Sequence, residues 1–354
     1  MLEWFTQMFR PKTLFVVGAG ASKEAKLPTA NELTATIAGM IDIKFHHDDQ
    51  FSGDFEITAA LRRHVQKADG TSGDISPYLR AGRLIRDAMP QAISIDNFID
   101  AHQGDEKVEL CGKLAIVRSI LDAEQHSLLF FDGQWSNDTI NHNNLQETWY
   151  ISFMQLLTEG FHRENISQLF ENVSFIIFNY DRCIEHFLFH AVQTYYGIQS
   201  AVAADLMRAL KIFHPYGIVG YLPWQADEAA IPFGSSNYES DLLSLARQIK
   251  TFTERIEDET AITAMRRLMQ DAETIVFLGF AFHQQNMELM KPIEHNNAIR
   301  VFATAKGISD SDCIIIRGQI CQFFDKMPHN IKVNLRNGLT CHGIFEEYRR
   351  SLSL

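Results

Sequence analysis

An asparagine and a histidine, each placed where an apolar run gives way to polar residues, are the groups in this chain best suited to chemistry, and a third such run empties into two glycines and a small hydroxyl residue. Val173 to Phe178 runs into Asn179, Tyr180 and Asp181; Lys211 to Phe213 runs into His214, Pro215, Tyr216 and Gly217; Thr13 to Val17 runs into Gly18, Ala19, Gly20, Ala21 and Ser22. A carboxamide offers both a donor and an acceptor, so Asn179 can hold a water or a ribose hydroxyl. An imidazole exchanges a proton near neutral pH, which makes His214 a candidate acid or base. Gly18 and Gly20 leave no Cβ between main-chain N–H groups and an anion, and the helix that follows aims its positive end at the same place. The segment therefore reads as a phosphate cradle for a nucleotide.

Each feature also has a purely structural reading. Asn179 and Asp181 can equally cap the helix that follows them. His214 can be a satisfied side chain at a strand end, held extended by Pro215. Gly-x-Gly with Lys23 at the third position of the dinucleotide fingerprint can be an ordinary tight turn, and no Walker A spacing follows Gly20. Gly217 lets the backbone turn close to a ligand. Thr274 to Leu278 breaks at Gly279 and Phe280, which would bring main chain toward the adenosine half of a dinucleotide, although most of that segment is core. Leu27-Pro28-Thr29 followed by Glu32 is fully explained as a capping box at a helix start.

The elements that position these groups follow from periodicity. Short β-rich runs at 13–17, 173–178, 211–214, 274–278, 299–303 and 331–334, several apolar throughout, read as strands buried on both faces. Helical patterns over 181–193, 241–254 and 261–271 alternate with them, which predicts an α/β fold with a mostly parallel sheet flanked by helices. Right-handed crossovers then bring all the strand ends to one rim. Residues 31–168 carry helix-like patterns at 108–123 and 145–161 and no convincing strand, so a helical insertion is expected between the first and second strands. Segments 67–77 and 135–144 read as loops within it. The whole chain, 1–354, reads as one catalytic domain, with 305–354 a C-terminal extension packed on the core or on a partner.

Composition narrows the class. With 354 residues and 46% apolar content the chain can bury a continuous core. A formal charge of −12 argues against direct nucleic-acid binding or attachment to an anionic membrane. No apolar run reaches the eighteen or so residues of a membrane helix, and the start has neither a basic n-region nor a cleavage site. Five cysteines, an odd set with no C-x-x-C pair, fit reduced thiols in the cytoplasm and give no four-cysteine zinc module.

In order along the chain, Gly18-Ala19-Gly20-Ala21-Ser22 with Leu27-Pro28-Thr29, Ile95-Asp96-Asn97-Phe98, Phe178-Asn179-Tyr180-Asp181, His214-Pro215-Tyr216-Gly217 and Leu278-Gly279-Phe280-Ala281-Phe282 resemble the sirtuin-like NAD hydrolases of bacterial anti-phage defence. The match spans residues 12 to 305. The resemblance implies a Rossmann-like fold, NAD as substrate and no metal in the site, with Asn179 and His214 as the catalytic pair. Gly18, Ala19, Gly20, Ala21, Ser22, Asp181, Gly217, Gly279 and Phe280 would be the NAD-binding residues. It further implies that Asp96 lies over the nicotinamide end, where a carboxylate can stabilise positive charge or serve only as a helix cap. The zinc-binding cysteines of protein-deacylating sirtuins are lacking, so no structural zinc is expected. Pro215 and Tyr216 interrupt the family's histidine-glycine pair, and His283, Gln284 and Gln285 stand where an acidic residue is common. Partners implied are copies of the same chain, or a HerA-type translocase ATPase. Two other functions compete: a non-catalytic sensor of NAD or ADP-ribose, and a nuclease subunit beside an ATPase, for which no convincing D-x-D or E-x-K cluster is found.

Overall fold

Short runs dominated by Val, Ile, Leu and Phe form the frame, because a strand covered on both faces needs no polar alternation. A computed structural model describes residues 9, 11–67, 70–133, 139–226, 230–235, 242–250, 259–294, 296–325 and 331–353. Its main sheet contains β1 (Thr13–Val17), β4 (Val173–Ile177), β5 (Lys211–Phe213), β6 (Thr274–Leu278), β7 (Arg300–Thr304) and β8 (Lys332–Arg336). The spatial order is β5-β4-β1-β6-β7-β8, and every pairing is parallel. From β1 the chain winds outward through β4 to β5, then returns past β1 to β6, β7 and β8. That is the order of a Rossmann-like sheet, with its reversal between β1 and β6. Val17 pairs with both Ile177 and Leu278, so β1, β4 and β6 end level at one rim.

The sheet separates two apolar layers. Leu14, Val16, Ile176, Ile275 and Phe277 face one, together with the helices Ala30–Met40, Phe55–His64, Ser76–Ala88 and Glu106–Gln125. Phe15, Val17, Phe175, Ile177, Val276 and Leu278 face the other. There Phe15 stacks on Phe175 at 5.2 Å and meets Phe153 edge-on at 5.2 Å, with Phe345 of the last helix, Cys341–Leu352, stacked on it at 6.2 Å. The C-terminal helix thus docks on the sheet. Phe9 closes the same cluster against Phe15 and Phe153, while Leu2, Trp4, Phe5 and Met8 lie outside the described residues.

Between β1 and β4 the expectation of no strand is corrected. Lys44–His46 (β2) and Asp49–Ser52 (β3) form an antiparallel hairpin whose turn puts His47 at φ 56°. Strands this short, with polar residues at most positions, carry no hydrophobic alternation from which to read them. The Thr29–Glu32 capping box is present: the Thr29 amide donates to Glu32 Oε2 at 2.8 Å, and Lys23 pairs with the same carboxylate. Of the expected helix over 241–254, Leu242–Ala246 is helical and 251–258 lies outside the described residues. No described helix is long and apolar enough to cross a membrane.

Candidate functional site

The carboxyl ends of β1, β4 and β5 bring Ser22, Asn179, Asp181 and His214 into one hydrogen-bonded chain. Ser22 ends the four-residue helix Ala19–Ser22 that follows Gly18. Its hydroxyl accepts a bond from Asn179 Nδ2 at 2.9 Å and donates to Asp181 Oδ2 at 2.9 Å. The other Asp181 oxygen accepts from the Cys183 amide at 3.2 Å, so Asp181 does part of the capping work while holding the serine. Burial pushes the Asp181 carboxyl above its ordinary range, against the lowering effect of the Cys183 and Ser22 hydrogen bonds. The fully buried Tyr150 hydroxyl also approaches Ser22, but makes no hydrogen bond of normal geometry, and burial holds its proton on.

Asn179 is only 8% exposed and does not cap the following helix, Cys183–Tyr196. Having given one Nδ2 hydrogen to Ser22, its carboxamide retains the second hydrogen and the acceptor oxygen for a water or hydroxyl. Its main-chain carbonyl accepts from His214 Nδ1 at 3.1 Å, and His214 Nε2 lies 2.7 Å from Glu185 Oε1. A carbonyl oxygen can only accept, so Nδ1 must carry its proton. One further proton lies between Nε2 and the Glu185 carboxyl. Neither ring nitrogen therefore presents a lone pair to a substrate, which differs from the proton-accepting role expected of His214. Burial disfavours the imidazolium, but Glu185, the Asn179 carbonyl and Asp181 together outweigh it and leave the pKa above its usual value.

The glycines of the cradle have a main-chain explanation. Gly18 N–H donates to Leu278 O at 2.9 Å and Gly20 N–H to Gly279 O at 3.1 Å. A Cβ on Gly18 would sit 2.6 Å from Gly279 O, and one on Gly20 2.8 Å from the Gly279 Cα. Gly279 itself has φ +56° and is tied down by Thr304 Oγ1 at 2.8 Å from its amide. The Ala21 amide bonds to Gly18 O, and Ala21 O accepts from Trp149 Nε1 at 3.1 Å. Of the first amides of this turn, Ala19 N–H alone has no acceptor among the described residues, and Ala19 is partly exposed.

The other expected residues border the chain without joining it. Asp96, in the first turn of the helix Ile95–Ala101 capped by Ser94, accepts from the Tyr180 hydroxyl. Gly217 has φ +77°, and a Cβ there would lie 1.9 Å from Gln248 O, so close main-chain packing requires glycine at that position. Phe280 is buried against Phe178 at 5.1 Å, a contact that crosses above the end of β1. Tyr216 continues that aromatic group, and its hydroxyl donates to Asn286 Oδ1 at 2.7 Å.

Three buried charged neighbours have no counterpart in the expected set: Glu185, Glu124 and Arg182. Arg182 and Glu124 are both 0% exposed and paired. Arg182 also donates to Ile231 O at 2.6 Å, and Glu124 Oε2 accepts from the Gly234 amide at 3.1 Å. The signal available was an acid beside large apolar residues of one helix, Glu185 near Ile184, Phe187 and Leu188, since a buried charge demands a partner. An open cleft of about 420 Å³ lies elsewhere, between the helices Glu259–Asp271 and Gln284–Met290, and none of the expected residues lines it. Among the described residues no group of three or more His, Cys, Asp or Glu is arranged to hold a metal ion. No protein-family model matches the sequence, and no curated protein matches it.

Proposed function

We propose that this chain hydrolyses the bond between nicotinamide and ribose in NAD. The observation that carries the proposal is the Asn179–Ser22 hydrogen bond, which fastens a carboxamide at the end of β4 to the glycine loop at the end of β1. In open parallel sheets, ligands sit outside the carboxyl ends of the strands, and the Rossmann-like strand order supports a nucleotide there. In the reaction the C1′–N1 bond breaks with its electron pair leaving on nicotinamide, which neutralises the pyridinium, so no acid is needed. Water oxygen bonds to C1′, one of its protons stays on the new hydroxyl, and the other passes to solvent. Asn179 holds that water through its free N–H and carbonyl oxygen. The remaining gain comes from orientation, which converts an encounter into an intramolecular step. The family resemblance supports a biological role in anti-phage defence by NAD depletion, working with copies of itself or a HerA-type ATPase.

The engaged nitrogens of His214 favour a second reading, a subunit that binds NAD or ADP-ribose without cutting it. Chromatography of nicotinamide released from NAD by purified protein, alone and with its operon neighbours, separates the two, with binding followed by calorimetry. Hydrolysis predicts release by the wild type and loss of it in a folded Asn179→Ala variant. Binding without release favours the sensor, and full turnover by Asn179→Ala removes the assignment of this residue.

A further inference from the structure

Glu185 lies in the first turn of the helix Cys183–Tyr196, and only 3% of its side chain is exposed. One carboxyl oxygen meets His214 Nε2 at 2.7 Å, while the other is buried with no hydrogen-bond partner. A carboxyl placed so is costly to bury, and packing alone would be better served by an apolar side chain of similar volume. What it gains is hold on the imidazole, whose opposite nitrogen grips the main-chain carbonyl of Asn179 at 3.1 Å. The run of contacts from helix to carboxyl, ring and carbonyl ends at the residue whose side chain the proposed hydrolysis needs.

We infer that Glu185 is a positioning residue: through the His214 ring it fixes the main chain of Asn179 and so aims the carboxamide at the ligand. The inference rests on the assignment of Asn179 as the group that holds the attacking water. Facing His214 are Glu185 from the helix, and Asp181 and the Asn179 carbonyl from the turn after β4. With both ring nitrogens donating, the grip is complete only while the ring stays protonated. The His214 pKa is raised, so this state persists above the ordinary histidine range and is lost as pH rises through the folded value.

The test is Glu185→Gln, which keeps shape and removes charge, read by nuclear magnetic resonance of protein labelled at histidine and asparagine nitrogens, and by nicotinamide release. In wild type both His214 nitrogens should carry protons at pH 6, below the ordinary histidine value, and the Asn179 side-chain amide signal should move as His214 titrates. In Glu185→Gln both changes should shift to lower pH. The kcat should fall about 10- to 100-fold with KM within about twofold, the loss expected from a displacement of the order of 1 Å. The alkaline limb of the pH profile should move acidward in step. A bare ring nitrogen at pH 6 in wild type, an Asn179 signal indifferent to the substitution, or an unchanged kcat would each overturn the inference. A wild type that cuts no NAD would instead overturn the hydrolase proposal, and the two resonance measurements would still decide whether Glu185 controls Asn179.

Discussion

Replacing Ser22 by alanine removes one oxygen and breaks two buried hydrogen bonds at once. Ser22 is 2% exposed, so no water is on hand to replace it. Asn179 Nδ2 loses its acceptor and Asp181 Oδ2 its donor, while Asp181 Oδ1 keeps the Cys183 amide at 3.2 Å. An unmatched buried polar group costs about 1–3 kcal/mol, so the pair comes to roughly 2–6 kcal/mol. With about 2 cal/mol/K of unfolding entropy per residue over 354 residues, the midpoint of thermal unfolding should drop by about 3–8 °C.

The sign of the pH dependence is fixed by Asp181. Its folded pKa is raised by burial, so its contribution to stability is fully present below the ordinary carboxyl value and is lost as pH rises through the folded value. Ser22 is one of the groups that lowers this pKa, so Ser22→Ala raises it further. The deficit of the variant should therefore be larger at pH 8 than at pH 5, measured by urea unfolding at both. A deficit equal at the two pH values, or none at either, would show that Ser22 does not hold an ionised Asp181. Nicotinamide release should also fall, because Asn179 loses its only side-chain tether to the glycine loop among the described hydrogen bonds.

Two further comparisons test the frame around the site and the packing of the fold. Gly279→Ala would place a Cβ 2.1 Å from the Ala21 amide nitrogen at φ +56°, so it should cost about 2–4 kcal/mol in urea unfolding. Gly318→Ala, in the open middle of the helix Asp310–Phe323, should instead gain about 0.5–1 kcal/mol, and equal effects at the two sites would refute the packing argument. Arg182→Met should cost about 3–5 kcal/mol by leaving Glu124 buried and unpaired, and adding Glu124→Met should recover most of it. A double variant less stable than either single would show that the pair is not the dominant interaction there.

The central sheet was legible because β1, β4 and β6 are apolar runs ending at or next to glycine or asparagine, a pattern that survives without tertiary context. All six expected runs lie in the parallel sheet, with ends shifted by at most two residues. The β2–β3 hairpin was not legible, since its strands are short and mostly polar and cross-strand pairing rather than burial defines them. At the site, Asn179 and His214 stood out because polar residues follow apolar strands at one rim, while Ser22 stood out only as the small hydroxyl residue closing the glycine loop. Glu185 did not, because helical spacing shows that an acid lies on a buried face only once the neighbouring elements are known. The same holds for Arg182 and Glu124, whose partnership spans 58 residues of sequence.

The glycines carry a different lesson for assigning function. Gly18, Gly20 and Gly279 are required where the loops after β1 and β6 approach main chain to main chain, and the amides of Gly18, Gly20 and Ala21 are already bonded to carbonyls. This sequence would need those glycines whether or not anything bound. Their presence therefore adds little to the case for a nucleotide, and the weight moves to residues whose cost the fold does not explain. A carboxamide tethered through a serine to a buried carboxyl, with a histidine held at both nitrogens behind it, is expensive to bury and contributes nothing to packing that apolar side chains could not supply. The variants that discriminate function are accordingly those at Ser22, Asn179 and Glu185. Substitutions at the glycines will report on folding first.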